Sequence, residues 1–93
     1  MRKYVYLLIH ENGIDNPSHE VFRNRKKAKA RFLEQVLKAE DCRNIAELDT
    51  AIREHELEDA DLNPYHNVQE MLTELFYGSG YDRHIQVKKI VMQ

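Results

Sequence analysis

Five histidines are the residues of this chain that most directly suggest chemistry, because imidazole transfers protons near neutral pH and binds transition metals. They are His10, His19, His55, His66 and His84. No two of them have the spacing of a His-x-x-x-His or His-Glu-x-x-His motif, and no pair of cysteines accompanies them. The spacing therefore predicts no metal site and no bound cofactor. A hairpin of the first two strands could still bring His10 and His19 together beside Glu11 or Glu20, which leaves a metal site as an alternative.

Nucleophilic catalysis is equally unsupported by the sequence. Ser18 stands next to His19, but the pair lies in no nucleophile-elbow motif and has no identifiable orienting carboxylate. The single Cys42 predicts neither a zinc ribbon nor an intramolecular disulfide, and it indicates a reducing, cytoplasmic setting. We therefore expect a protein that is not an enzyme.

A glycine-rich segment, Tyr77-Gly78-Ser79-Gly80-Tyr81, superficially resembles a phosphate cradle. A phosphate-binding loop follows a strand and opens a helix, whereas this segment follows an amphipathic helical pattern. We interpret it as a helix end and a turn, with Gly78 as the left-handed residue after the helix. Tyr77, Ser79 and Tyr81 are nevertheless candidates for lining a small-ligand or nucleotide pocket.

Charge is distributed unevenly along the chain, although the formal net charge is only -2. Residues 23 to 43 carry eight basic and three acidic side chains, whereas residues 44 to 82 carry ten acidic side chains and one basic. The basic cluster, on a predicted helix, consists of Arg25, Lys26, Lys27, Lys29 and Arg31. The acidic segment consists of Glu54, Glu56, Glu58, Asp59 and Asp61. Either group predicts an electrostatic contact with a partner.

The hydrophobic pattern predicts the strands that must position these residues. Residues 3 to 10 form a strand that is apolar on both faces, which is typical of a central strand. A short strand over residues 19 to 22 returns beside it. The last strand covers residues 83 to 92, and the side-chain pattern changes at Lys88-Lys89, which indicates a bulge or an edge strand.

Three helices are predicted between the second and the last strand. Helix A covers residues 24 to 39, with an apolar stripe on one side and the basic cluster on the other. Helix B begins at Asn44, whose side chain and Glu47 match a weaker form of the capping box. Helix C begins at Asn63-Pro64 and ends at Gly78, with a stripe formed by Val68, Met71, Leu72, Leu75 and Phe76.

Together these elements predict a single α+β domain over residues 1–93, with a three-stranded antiparallel sheet in the order β-β-α-α-α-β along the chain. Residues 44 to 82 form a helical insertion before the last strand. Helices A and C cover one face of the sheet, and helix B lies at the periphery. The second face has no evident cover, so self-association of the sheet into a homodimer is our hypothesis. No stretch approaches the roughly 20 apolar residues of a membrane span.

The order of features resembles a group of small proteins common in bacteriophages, prophages and their hosts. The resemblance covers residues 3 to 39 and 83 to 92: a Lys-Tyr-Val-Tyr-Leu-Leu strand, a Val21-Phe22 strand leading into a charged helix centred on Ala28, and a closing Ile-x-Val strand. It implies a non-enzymatic accessory protein. For phage-borne members it implies an inhibitor of a host defence protein, such as a CRISPR-associated effector.

The leading hypothesis is therefore a protein-binding module that uses the acidic segment or the basic cluster to occupy a charged surface on a larger partner. A nucleic-acid-binding effector offers such a surface. One alternative is a small-ligand or nucleotide-binding protein with a pocket near residues 77 to 81. Another is direct nucleic-acid binding by residues 23 to 31, against which stand the acidic balance of the whole chain and the absence of aromatic residues from the basic run.

Overall fold

The computed structural model describes residues 3–12, 18–78 and 83–92. These residues form an α+β fold built on a four-stranded antiparallel sheet. The strands are β1 (Lys3–Asn12), β2 (Ser18–Phe22), β3 (Phe76–Gly78) and β4 (Arg83–Met92). The helices are α1 (Arg25–Ala39), α2 (Ile45–Arg53) and α3 (Val68–Glu74), with a short 3₁₀ turn at Ala60–Leu62. The sheet order is β2-β1-β4-β3, so β1 is central as predicted.

The prediction of three strands missed β3, and the reason lies at the end of α3. Leu75 adopts a left-handed conformation (φ 54°) and caps the helix, so α3 ends at Glu74, four residues before Gly78. Phe76 to Gly78 then become extended and pair with residues 84 to 86 of β4. The predicted helix end at Gly78 was therefore wrong.

The predicted start of helix C was also wrong. The capping residue is Asn67, whose side chain accepts a hydrogen bond from the Glu70 N–H at 3.0 Å. Asn63, the predicted cap, is instead a buried polar residue outside any helix.

The first two helices begin where the sequence predicts, because an asparagine side chain caps each one. The Asn24 carboxamide accepts from the Lys26 and Lys27 N–H groups, and the Asn44 carboxamide accepts from the Glu47 N–H. These caps satisfy N–H groups that have no partner within the helix. Contrary to the prediction, α2 is not peripheral, since Leu48 and Ile52 are among the most deeply buried side chains.

All three helices lie on one face of the sheet, and the core forms between them. Leu8 of β1 and Ile85 of β4 are buried against the helices, beside Phe32 and Val36 of α1 and Met71 of α3. The β1 and β4 strands pair without interruption from Lys3↔Met92 to Asn12↔Arg83, so the predicted bulge at Lys88-Lys89 does not occur. Simple alternation already places Ile85 and Ile90 on opposite faces.

Candidate functional site

The sheet has one face that no described element covers, which we call the open face. Because side chains alternate along a strand and paired residues share a face, its members follow from the register. Its apolar members are Val5, Leu7, Ile9, Val21, Phe76, Ile90 and Met92. Val21 is 65% exposed, Met92 51% and Ile90 41%, whereas the β1 members are half-buried by their neighbours. A contiguous apolar surface of this kind is typical of an interaction site.

Polar side chains surround the apolar centre of the open face. Lys3 lies at one end of β1 and Glu11 at the other, where the Glu11 carboxylate is 3.1 Å from Nδ1 of His84. The His84 ring stacks on Phe76 with 6.5 Å between ring centroids. Lys88 and Gln86 of β4 lie within the face, beside Leu7 and Ile9, so polar groups also interrupt the apolar surface. Protein interfaces combine apolar and polar groups in this way.

Asn63 fixes the end of the acidic segment to the β3 edge of the sheet. Its side chain is buried, accepts a 3.1 Å hydrogen bond from the Gly78 N–H and donates to the Gly78 carbonyl. It also donates to the Glu58 carbonyl at 3.1 Å. One carboxamide therefore satisfies groups on both the loop and the strand, and it holds the loop beside the open face.

The loop places two exposed apolar side chains, Leu62 (45% exposed) and Phe76 (37% exposed), at that edge of the sheet. Two grooves meet at this pair, with cavity volumes of about 950 Å³ and 710 Å³. The larger groove is lined by three carboxylates and by no basic side chain. We call this set the acidic edge: Asp61, Glu70 and Glu74 around Leu62 and Phe76.

The acidic segment that the sequence indicates is not one surface. All five of its carboxylates are exposed, but they lie in different places. Asp61 lines both grooves and belongs to the acidic edge, and Asp59 lines only the smaller one, with Arg83 and His84. Glu56 instead lines a separate groove beside Cys42. Glu54 follows α2, and Glu58 lies in the loop next to the buried Leu57.

The predicted basic cluster is partly neutralised within the molecule. Arg31 pairs with Glu20 at 2.9 Å and with Glu34 at 2.8 Å, and Arg25 donates to the Thr73 carbonyl. These hydrogen bonds and the nearby charges of Glu20 and Glu34 raise the pKa of the Arg31 guanidinium. Lys26 and Lys27 are exposed in the first turn of α1, and Lys29 is half-buried. The cluster therefore offers fewer uncommitted charges than its sequence indicates.

Of the three residues predicted to line a pocket, only Tyr77 lies within the described ranges. Tyr77 is 3% exposed and faces the core, where its hydroxyl donates to the Glu40 carboxylate. Ser79 and Tyr81 lie outside the described residues. The grooves at this edge lie around Phe76 and Gly78 instead.

The histidines and the cysteine form no reactive arrangement in the described ranges. His10 and His19 occupy opposite faces of the sheet, since His10 pairs with Ser18 and His19 with Ile9. No group of three metal-ligating side chains occurs among residues 3–12, 18–78 and 83–92. Burial raises the pKa of the Cys42 thiol, and Glu40, Glu47 and Asp41 raise it further. A raised thiol pKa disfavours the thiolate that nucleophilic attack requires.

Comparison with known proteins adds no family to this description, because no family model, no curated protein and no solved structure matches the chain. Among the described residues, no helix is both long enough and apolar enough to cross a membrane.

Sequence reasoning missed the acidic edge. Glu70 and Glu74 belong to α3, whereas Asp61 precedes Glu70 by nine residues. Long-range hydrogen bonds from Asn63 to Gly78 and from Tyr65 to Phe76 bring the loop to the strand that follows α3. The alternation of β1 did indicate an uncovered face, because the predicted helices covered only one side of an apolar strand, but it did not decide whether Tyr4, Tyr6 and Leu8 or the alternate residues lie there.

Proposed function

We propose that this chain is a non-enzymatic protein-binding module, and that a larger protein docks on the open face. The observation that carries the proposal is the exposure of apolar side chains of β2, β3 and β4 on one sheet face, beside the half-buried apolar side chains of β1. Their transfer out of water would stabilise a complex at roughly 25 cal/mol per Å² of apolar area. If the open face stayed in water, this free energy would not be gained.

The acidic edge supports a partner that carries basic side chains beside its apolar contact surface. Asp61, Glu70 and Glu74 adjoin Phe76, which belongs to the open face, so one partner can contact both surfaces. The His66 N–H donates to Glu70 at 2.7 Å, and this bond lowers the pKa of the Glu70 carboxyl and keeps it charged. Opposite charges at the rim of an interface raise the association rate and select the partner.

Proteins that bind nucleic acids carry such basic surfaces, so we propose a nucleic-acid-binding effector as the partner class. Occupation of that surface would exclude nucleic acid from it, which is an inhibitory role. The open face would supply affinity, and the acidic edge would direct the module to the basic surface.

The partner is first identified by affinity capture from the cells that make this protein, and it is then purified for direct binding measurements. Val21→Lys places a charge at the most exposed apolar position of the open face. We expect it to weaken binding by about thirtyfold or more, as for an interface residue that contributes about 2 kcal/mol. Unchanged affinity would overturn the proposed docking surface.

Two pairs of charge reversals test the role of the acidic edge. Asp61→Lys with Glu74→Lys alters the acidic edge, whereas Glu54→Lys with Glu56→Lys alters the same number of charges elsewhere. We expect about tenfold weaker binding for the first pair and little change for the second, with a difference that shrinks at high salt. Equal losses of affinity for the two pairs would mean that the net charge of the chain, and not the acidic edge, determines binding.

A further inference from the structure

The β1 and β4 strands extend beyond the rest of the sheet as a two-stranded ribbon. Strand β2 pairs with residues 6 to 10 of β1, and β3 pairs with residues 84 to 86 of β4. Within the described ranges, Lys3–Val5 and residues 88 to 92 therefore pair only with each other. No other described strand therefore pairs with the outer edge of β4 along residues 88 to 92, which we call the free edge.

The backbone groups at this free edge can be assigned from one hydrogen bond. The Val87 N–H donates to the Leu75 carbonyl at 3.0 Å, so Val87 directs its backbone groups away from β1. The N–H and carbonyl groups of successive residues in a strand point to opposite edges. Lys89 and Val91 therefore also present an N–H and a carbonyl outward, while Ile90 bonds to β1.

Apolar side chains are exposed on both faces of the ribbon. Val91 is 45% exposed on the helix side, and Ile90 and Met92 are exposed on the open face. Lys89 lies over the Tyr4 ring with its Nζ 4.0 Å from the ring centroid, which folds this lysine back onto β1. A two-stranded ribbon is marginally stable alone in water, so a further strand would stabilise it.

We infer that the free edge of β4 pairs antiparallel with β4 of a second copy of this chain, about a twofold axis at Ile90. In this register Lys89 forms hydrogen-bonded pairs with Val91 of the other copy, and Lys88 lies across from Met92. Each lysine then faces an apolar residue. An axis at Lys88 or Lys89 would place identical charges opposite each other, which is destabilising.

Of the possible axes, Ile90 alone keeps the lysines of the two copies apart and pairs all five residues of the free edge, because an axis at Val91 would pair only residues 90 to 92 of the strand. The free edge is five residues long, from Lys88 to Met92, and it matches the same five residues of a second copy in reverse order. The twofold axis runs through the sheet, so both open faces lie on the same side of one continuous sheet. The dimer would double the proposed docking surface, but its formation does not depend on any partner.

The first test is the solution mass of the purified full chain by light scattering over a concentration series. We expect a mass that rises toward twice the 11.1 kDa chain mass. Val91→Pro removes an outward N–H and leaves the pairing with β1 intact, so it should keep the protein monomeric. Tyr4→Pro is the matched control, because Tyr4 pairs with Val91 but its N–H points toward the opposite edge of the ribbon. It should leave the dimer in place.

A cysteine cross-link tests the register. In the Cys42→Ser background, Ile90→Cys places two thiols across the axis in a non-hydrogen-bonded pair, where Cα atoms are about 4.5 Å apart, within the range of a disulfide. Mild oxidation should then give a covalent dimer from Ile90→Cys, and Val21→Cys should give little. A monomeric wild-type chain, or a dimer that survives Val91→Pro and shows no cross-link at residue 90, would overturn the inference. Circular dichroism confirms that each variant is folded.

Discussion

The two faces of the sheet have similar composition along β1 but opposite surroundings. Leu8 is 1% exposed and belongs to the core beneath the helices, whereas its neighbour Leu7 lies on the open face between Val21 and Lys88. Three helices contribute to the covered side, and among the described residues no element reaches the other. An apolar side chain in this sheet therefore has one of two roles. On the covered face it stabilises the chain itself, and on the open face it is free to stabilise a complex.

The largest expected effect is the contrast between adjacent leucines. Leu8→Ala should lower the free energy of unfolding by about 2–5 kcal/mol, because it removes buried methyl groups and leaves a cavity. Leu7→Ala should cost about 1 kcal/mol, because Leu7 is only half-buried and its truncation leaves no enclosed cavity. Urea denaturation of both variants measures the contrast. Equal losses would mean that the open face is covered in the isolated protein.

The next effect concerns the residue that joins the two surfaces. Asn63→Ala leaves the buried Gly78 N–H and carbonyl without their side-chain partner, which should cost about 1–3 kcal/mol. It should also release the acidic edge, so hydrogen exchange should increase in residues 58 to 63. Asn67→Ala, which removes only a helix cap, is the control and should leave exchange in that loop unchanged. Unaltered exchange in the Asn63 variant would contradict the anchoring role.

A pH-dependent effect arises in the layer of helices on the covered face. The Arg53 hydrogen bond first, and the Val68 N–H second, lower the pKa of the Asp49 carboxyl below its ordinary value. A lowered pKa in the folded state stabilises the fold above the unfolded-state pKa of about 3.9, and this stabilisation is lost as pH falls through the folded-state value. Asp49→Asn should therefore be less stable than the wild type near neutral pH, and the difference should narrow in acid. Urea titrations across this pH range check it, and a constant difference would contradict the assignment.

The smallest expected effect on stability belongs to the most exposed member of the open face. Val21→Thr should change the free energy of unfolding by about 0.5 kcal/mol or less, because Val21 is 65% exposed. It should nevertheless weaken partner binding. A large loss of stability would show that Val21 packs inside the isolated chain, which would weaken the contrast between the two faces.

Local signals were sufficient to predict much of the fold from the sequence. The existence of β1 and β4 and the cap at Asn44 depend on residues close in the chain. The end of α3 did not follow from such signals, because a leucine rather than a glycine takes the left-handed position. The short strand β3 exists only through its pairing with β4, and three residues carry too little pattern to predict it.

The candidate site was less predictable than the fold. Charge clusters were evident in the sequence, but their partners were not: Arg31 is paired by Glu20, eleven residues earlier in the chain. The acidic edge depends on one buried carboxamide that contacts a strand fifteen residues away. Such long-range contacts determine which exposed charges lie beside the open face, and no local pattern encodes them.

The central claim is that the open face binds a protein other than this chain, and site-specific photo-cross-linking tests it most directly. A photoreactive p-benzoylphenylalanine at position 21 lies on the open face, and the same residue at position 27 lies on the exposed side of α1 as a control. We expect the photoreactive residue at position 21 to capture one distinct protein in the cells that make this chain, and the same residue at position 27 not to capture it. The captured protein, once purified, should bind the wild-type chain and lose affinity for Val21→Lys. A product at twice the chain mass, formed from position 21 alone, would contradict the claim, because a second copy would then cover the face.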